Sequence, residues 1–196
     1  AGAELYFGPG VTLTVEGSLT ADGNSDDIIS FLPVHPDSTF GGVVIGVVDP
    51  GDHRDADTYS YILISGVEAD SIPLTVNGSA TLNHLTIAGN GNPVSLTTTG
   101  TVELNYSILE GTAEGSVNNT GSFTGSTNQF TDYEMDDFTL LADAAGIDID
   151  TSSMDLDPDY SYADAGAYYH DQTDYPVTSI TIHRPAYGDT ILVSPD

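Results

Sequence analysis

Six aspartates lie close together near the C-terminal end of the chain: Asp148, Asp150, Asp155, Asp157, Asp159 and Asp164. Alternating Asp-x-Asp-x-Asp spacing lets the carboxylates of a turning loop converge on a hard cation such as Ca²⁺. This is not an EF-hand, because Tyr160 and Gly166 stand where the loop counted from Asp155 needs a glycine and a glutamate. The competing use of such residues is an acidic end-cap whose carboxylates accept hydrogen bonds from turn N–H groups. The spacing leaves both open, with Asp148, Asp150, Asp155, Asp157, Asp159 and Asp164 as candidate calcium ligands.

Other reactive types are scattered. His53 stands among Asp52, Arg54, Asp55 and Asp57 on a polar stretch, a solvated loop in the first instance. His84 follows Asn83 and is expected at a turn or facing outward. Zinc spacing is absent, with no cysteine and no paired histidines. A glycosidase needs two carboxylates about 5–9.5 Å apart across the sugar. Asp26-Asp27 and Asp136-Asp137 offer adjacent carboxylates but none of the further elements of such a site. No catalytic residue is assigned, and the chain is expected not to be an enzyme. Tyr59, Tyr61 and Tyr106 could line a carbohydrate groove, so a carbohydrate-binding or carbohydrate-cleaving protein is the alternative. Thr12 with Thr14, and Thr97 with Thr99, form T-x-T pairs, but these do not recur often enough for an ice-binding face.

The charge balance restricts the partners. Lys and Arg number 2 against 30 Asp and Glu, a formal net charge of -28 over 196 residues. Phosphate neutralisation needs cationic side chains, which excludes nucleic acid. Anionic membranes and polyanionic sugars are repelled for the same reason, which leaves neutral carbohydrate. No apolar run of about 18 residues is present to span a membrane. A surface this acidic fits a secreted protein, extracellular or at the cell surface. Opening on Ala1 rather than Met, the chain is expected to be a processed protein or a piece of a longer one.

What must position these residues is a repeat. Ser60–Gly66 (SYILISG), Asn83–Gly89 (NHLTIAG) and Asn105–Gly111 (NYSILEG) align with steps of 23 and 22 residues. A second set, Leu74–Gly78, Leu96–Gly100 and Val117–Gly121, steps by 22 and 21. A period near 22 with short strands and no helical stretch is what one coil of a stacked β-solenoid requires. Ile62, Ile64, Leu85, Ile87, Ile108, Leu74, Val76, Leu96 and Val102 are expected to point inward in ladders. Val11, Leu13 and Val15 should share one face of a looser N-terminal coil. Ser71 to Val102 contains no Asp, Glu, Lys or Arg, so the regular coils are neutral. A β-sandwich also alternates short strands and turns, but it does not need a constant period.

The stretch from Gly8 to Gly23 (GPGVTLTVEGSLTADG) resembles the first coils of bacterial right-handed parallel β-helix proteins of the pectate-lyase-like superfamily. Asp155–Tyr169 (DLDPDYSYADAGAYY) is similar to the D-x-D-G…D-I-G-A-Y-E signature closing many surface-anchored members. Asp155, Asp157, Asp164, Gly166, Ala167 and Tyr168 match it, while Pro158 and Tyr169 depart from it. The resemblance implies an all-β fold, a right-handed parallel β-helix over residues 1–170. Because the superfamily hosts enzymes, adhesins and structural proteins alike, it does not choose among them.

Residues 171–196 read as a linker and a hairpin tail, or as the start of a following immunoglobulin-like domain. Thr178–His183 and Thr190–Ser194 are strand-like and flank Arg184–Asp189. A lone apolar hairpin is not stable in water, so the tail is expected to pair with a neighbour by strand addition. The expected function is a non-catalytic extracellular structural or adhesive module. It would self-associate head to tail or through residues 178–194, as the subunit of a filament stabilised by divalent cations.

Overall fold

The computed structural model describes residues 2–17, 19–46, 57–152 and 156–172. The tail expected to act as a connector, the loop carrying His53 and Arg54, and Asp155 lie outside these. In chain order the strands are β1 (Glu4–Phe7), β2 (Leu13–Thr14), β3 (Ala21–Asp22), β4 (Ile29–Pro33), β5 (Val43–Ile45), β6 (Asp57–Ile64), β7 (Leu74–Val76), β8 (Ala80–Ile87), β9 (Val94–Asn105), β10 (Ile108–Leu109), β11 (Thr112–Thr120), β12 (Phe123–Thr124), β13 (Phe130–Asp132) and β14 (Asp137–Leu140). The fold is all-β: among the described residues the only helical segment is a 3₁₀ turn, Tyr133–Met135.

Twelve strands join one sheet in which every pairing is parallel, and β13–β14 form a separate antiparallel hairpin. The pairings fall into three rows. The first runs β2-β5-β7-β9-β11. The second runs β3-β6-β8-β9-β11, and the third β1-β4-β6-β8-β10-β12. The long strands β6, β8, β9 and β11 each serve two rows.

The repeat read from sequence sets the pairing register. Ser60 pairs with Asn83 and Asn83 with Asn105, at the aligned steps of 23 and 22. Leu74 likewise pairs with Leu96. The last member of the second set does not follow. Val117 pairs with Val102, because the final coil contracts to a step of 15 residues, with register shifts at Thr112/Ala113 and Glu114/Ser116. Alignment by the Gly121 landmark therefore misplaces this coil.

Alternation puts one side of each strand inward. Ile62, Ile64, Leu85, Ile87, Leu74, Val76, Leu96 and Val102 are buried in one cluster with Leu82, Leu104 and Leu109. Ile108 is a correction. It pairs with Thr86, whose partner is Leu63, so it lies on the outer side of the third row, and Leu109 takes the inward place. Ile108 is buried all the same, in a second cluster with Leu63, Phe130, Phe138, Leu140 and Ala165. The non-repeating segment after β12 covers that outer side. At the other end Leu13 and Val15 pack against the core, whereas Val11 is exposed.

Candidate lateral groove

The corner between the second and third rows recurs at Tyr61, His84 and Tyr106, the second residue of each aligned repeat. All three have left-handed φ angles, 52°, 51° and 46°. Such angles are uncommon for residues with a Cβ, and here they recur at the same step of the repeat, within β6, within β8 and just after β9. The rings form a column. His84 lies 4.5 Å from Tyr61 with 4° between the planes, and 5.7 Å from Tyr106 with 24°. Gly121 ends the column, since a Cβ there would come within 2.7 Å of the Tyr106 ring.

The ring of His84 is buried, a correction to the outward placement, although the turn itself was expected. Its Nδ1 is 2.7 Å from the Asp164 carbonyl oxygen and its Nε2 is 3.3 Å from Asp150 Oδ2. A carbonyl only accepts, so Nδ1 carries a hydrogen. Nε2 then faces a carboxylate oxygen, and the contact is satisfied when either partner holds one more proton. Tyrosine rings flank the imidazole on both faces, Tyr61 on one and Tyr106 on the other. Asp150 is held in turn by the backbone N–H and hydroxyl of Ser152.

Beside the aromatic column runs a second one, Ser60, Asn83, Asn105 and Thr120, paired rung to rung in the second row. Asn105 Nδ2 donates to Asn83 Oδ1 at 2.9 Å. Asp150 and Ser152 face these residues from the C-terminal segment, and Tyr106 Oη lies 3.2 Å from Ser152 Oγ. Between the two walls is a groove of about 390 Å³. Tyr61 and Tyr106 line it, whereas Tyr59 is buried in the core.

The C-terminal segment is fixed to the strands by backbone donors at Gly166 and Ala167. Gly166 N donates to the Tyr106 carbonyl and Ala167 N to Thr86 Oγ1. A Cβ on Gly166, whose φ is 87°, would meet Thr86 Oγ1 at 2.7 Å.

The described aspartates among the six proposed for calcium accept hydrogen bonds as follows. Asp164 accepts from the N–H groups of Asp148 and His170. Asp157 accepts from Asp164 N–H, and Asp159 from the N–H groups of Ser161 and Gln172. Asp148 accepts from the Gln172 amide through Oδ2, while its Oδ1 is buried without a hydrogen-bond partner. Asp148, Asp157, Asp159 and Asp164 thus meet donors within the C-terminal segment, and Asp150 lies at the groove. Among the described residues no three His, Asp or Glu side chains form a group able to hold a metal.

Burial, with the charge of Asp164 next, pushes the Asp157 carboxyl up to about 7. Burial likewise pushes Asp164 to about 6, against the N–H groups of Asp148 and His170. At Asp159 burial is outweighed by Ser161 and Gln172 donors, which hold its carboxyl below the usual range.

Comparison with known protein families, curated proteins and solved structures gave no match. Nor does the structure contain a helix long and apolar enough to cross a membrane, among the described residues. Sequence reasoning missed Ser60 and Thr120 in the groove and the buried role of Asn90. Asn90 Oδ1 accepts from Val67 N–H and its Nδ2 donates to the Ala88 carbonyl, tying adjacent coils at a turn. The aligned repeats already carried the signal for the Tyr61–His84–Tyr106 column.

Proposed function

We propose that the chain is a right-handed parallel β-helix of the pectate-lyase-like kind, acting as a non-catalytic, secreted structural or adhesive module that self-associates into filaments. The observation that carries this reading is the state of the two sheet ends. Among the described residues β1, β2 and β3 pair on one side only, and so do β11 and β12. Both ends present the same three parallel rows, so a second copy offers the complementary edge. Such head-to-tail contact propagates instead of closing. Residues 178–194 are the second candidate connector.

Repulsion between acidic copies opposes contact, and screening relieves it. Ca²⁺ is the divalent cation proposed to bridge neighbouring surfaces. Light scattering and electron microscopy of the full chain, from low to high salt and with millimolar Ca²⁺, are the test. Linear assemblies that grow with salt support the reading. A monomer under every condition overturns it. If truncation after Tyr175 abolishes assembly, the tail is the connector and not the sheet ends.

The groove favours a second reading, a carbohydrate-binding or carbohydrate-cleaving β-helix. Among the described residues its lining includes a single carboxylate, Asp150, whereas sugar hydrolysis uses a pair. Binding is therefore the better form of that alternative.

A further inference from the structure

We propose that an open cavity on the outer side of the third row docks a cationic, apolar peptide segment of another protein. Docking there is independent of self-association. Along the outer side of that row, parallel pairing aligns Leu63, Thr86, Ile108 and Phe123. Leu63 and Ile108 are buried there with Phe130, Phe138, Leu140 and Ala165. Ser30 pairs with both Glu4 and Leu63, so alternation puts Leu32 and its partner Tyr6 on the same outer side. Here the cover opens. Tyr6, Leu32, Pro33, Val34, Phe138 and Tyr168 line a cavity of about 580 Å³. Leu32 and Tyr168 pack against the buried cluster, whereas Tyr6 is 56% and Val34 60% exposed. Apolar surface that continues a buried cluster into the open marks an interaction site.

The rim of this cavity is acidic. Asp136 lines it, and Tyr6 Oη donates to Glu4 Oε2 at 2.7 Å. Burial, and then the charges of Glu4 and Asp137, hold the Tyr168 phenol above its ordinary value. No Lys or Arg occurs among the described residues, because Arg54 and Arg184 both lie outside them. Carboxylates with no lysine or arginine beside them favour a ligand that brings its own positive charge. Tyr6 and Tyr168 add aromatic surface, which attracts Lys and Arg.

A peptide meets these demands together. Alternating apolar and basic side chains would fill the cavity and reach the rim at once. The hydroxyls of Thr39 and Ser65, which also line the cavity, can donate to or accept from peptide groups. A second copy of the chain is a poor occupant, since it brings 30 Asp and Glu against 2 Lys and Arg. Its charge would add to that of the rim and not offset it.

The test is calorimetric titration of the full chain with blocked hexapeptides that alternate Lys with Leu, Glu with Leu, or Lys with Ser. The Lys-Leu peptide is expected to bind saturably and the Glu-Leu peptide not to bind. The Lys-Ser peptide, lacking apolar side chains to bury, should bind at least about tenfold more weakly. Val34→Ser should weaken Lys-Leu binding about fivefold, and Asp136→Asn about threefold. Asparagine tolerates the left-handed φ of 57° at that position. Glu114→Gln removes one charge from β11, at the other end of the stack, and should leave affinity unchanged. No saturable binding of the Lys-Leu peptide overturns the proposal. So does equal binding of either other peptide, affinity undiminished in both cavity variants, or an equal loss in Glu114→Gln. Displacement of the Lys-Leu peptide by a synthetic peptide of residues 178–194 would overturn it too, assigning the cavity to the chain's own tail. Light scattering on the same samples reports assembly separately, so the two readings fail independently.

Discussion

His84 Nε2 stands 3.3 Å from Oδ2 of Asp150, a residue 66 positions further along the chain. This contact joins the repeating coils to the non-repeating segment that follows them. The same imidazole reaches the Asp164 carbonyl, 80 positions away, through its other nitrogen. One side chain thus pins the acidic segment at two points while its faces stack on tyrosines of the neighbouring coils.

Replacing His84 by Phe should separate stacking from hydrogen bonding. The ring column with Tyr61 and Tyr106 would persist, but the contacts to Asp150 and Asp164 would be lost. Leaving buried acceptors without that donor should cost about 1–3 kcal/mol, measured by urea denaturation. Stability equal to the parent chain would show that the polar contacts contribute nothing.

Stability should rise as pH falls from 8 to 5. Burial raises Asp157 and Asp164 to about 7 and about 6, above the ordinary carboxylate value of 3.8, so the folded state holds their protons more tightly than the unfolded chain. Their stabilisation is fully present below the unfolded value and is lost as pH rises through 6 to 7. Asp159 is lowered and has the opposite sign, so its contribution fades only below 3.8. Calorimetric melting temperatures should therefore be highest near pH 4–5, and Asp157→Asn should flatten the slope between 5 and 8. An unchanged slope in that variant would remove Asp157 as the cause.

Calcium should act between molecules and not within the cap. A typical extracellular site, with a dissociation constant of roughly 10⁻⁴–10⁻³ M, adds about 1.4 kcal/mol at tenfold excess. Because the carboxylates of Asp157, Asp159 and Asp164 already accept turn N–H groups, the melting temperature should stay the same between chelator and millimolar Ca²⁺. Light scattering should increase. A saturable rise in melting temperature would instead place a cation among Asp148–Asp164.

Substitutions on opposite sides of one coil should differ sharply. Ile64 is fully buried within the stack, so Ile64→Asp places an unpaired charge there and should cost at least about 4 kcal/mol. Thr75 faces outward on β7, and Thr75→Asp should stay within about 1 kcal/mol. Similar melting temperatures for the two variants would contradict the register.

Parallel pairing repeats by translation, so whatever holds for one coil holds for the next. That is why the sequence by itself determined the 23- and 22-residue register, the inward ladder from Ile62 to Val102, and the alignment of Tyr61, His84 and Tyr106. Where translation breaks, pattern alone misleads. The contraction to a 15-residue step displaced Val117, and Ile108 took an outward place that an apolar residue normally avoids. Only the tertiary structure decided that Ile108 is covered, because Phe130, Phe138 and Ala165 reach it from a segment with no period of its own. The aspartates followed the same rule. Their spacing permits either a cation or turn N–H groups, and which backbone donors lie within reach is set by the fold and not by the spacing. For Asp164 these were the N–H groups of Asp148 and His170, and for Asp150 the partner was an imidazole fixed in the middle of the stack.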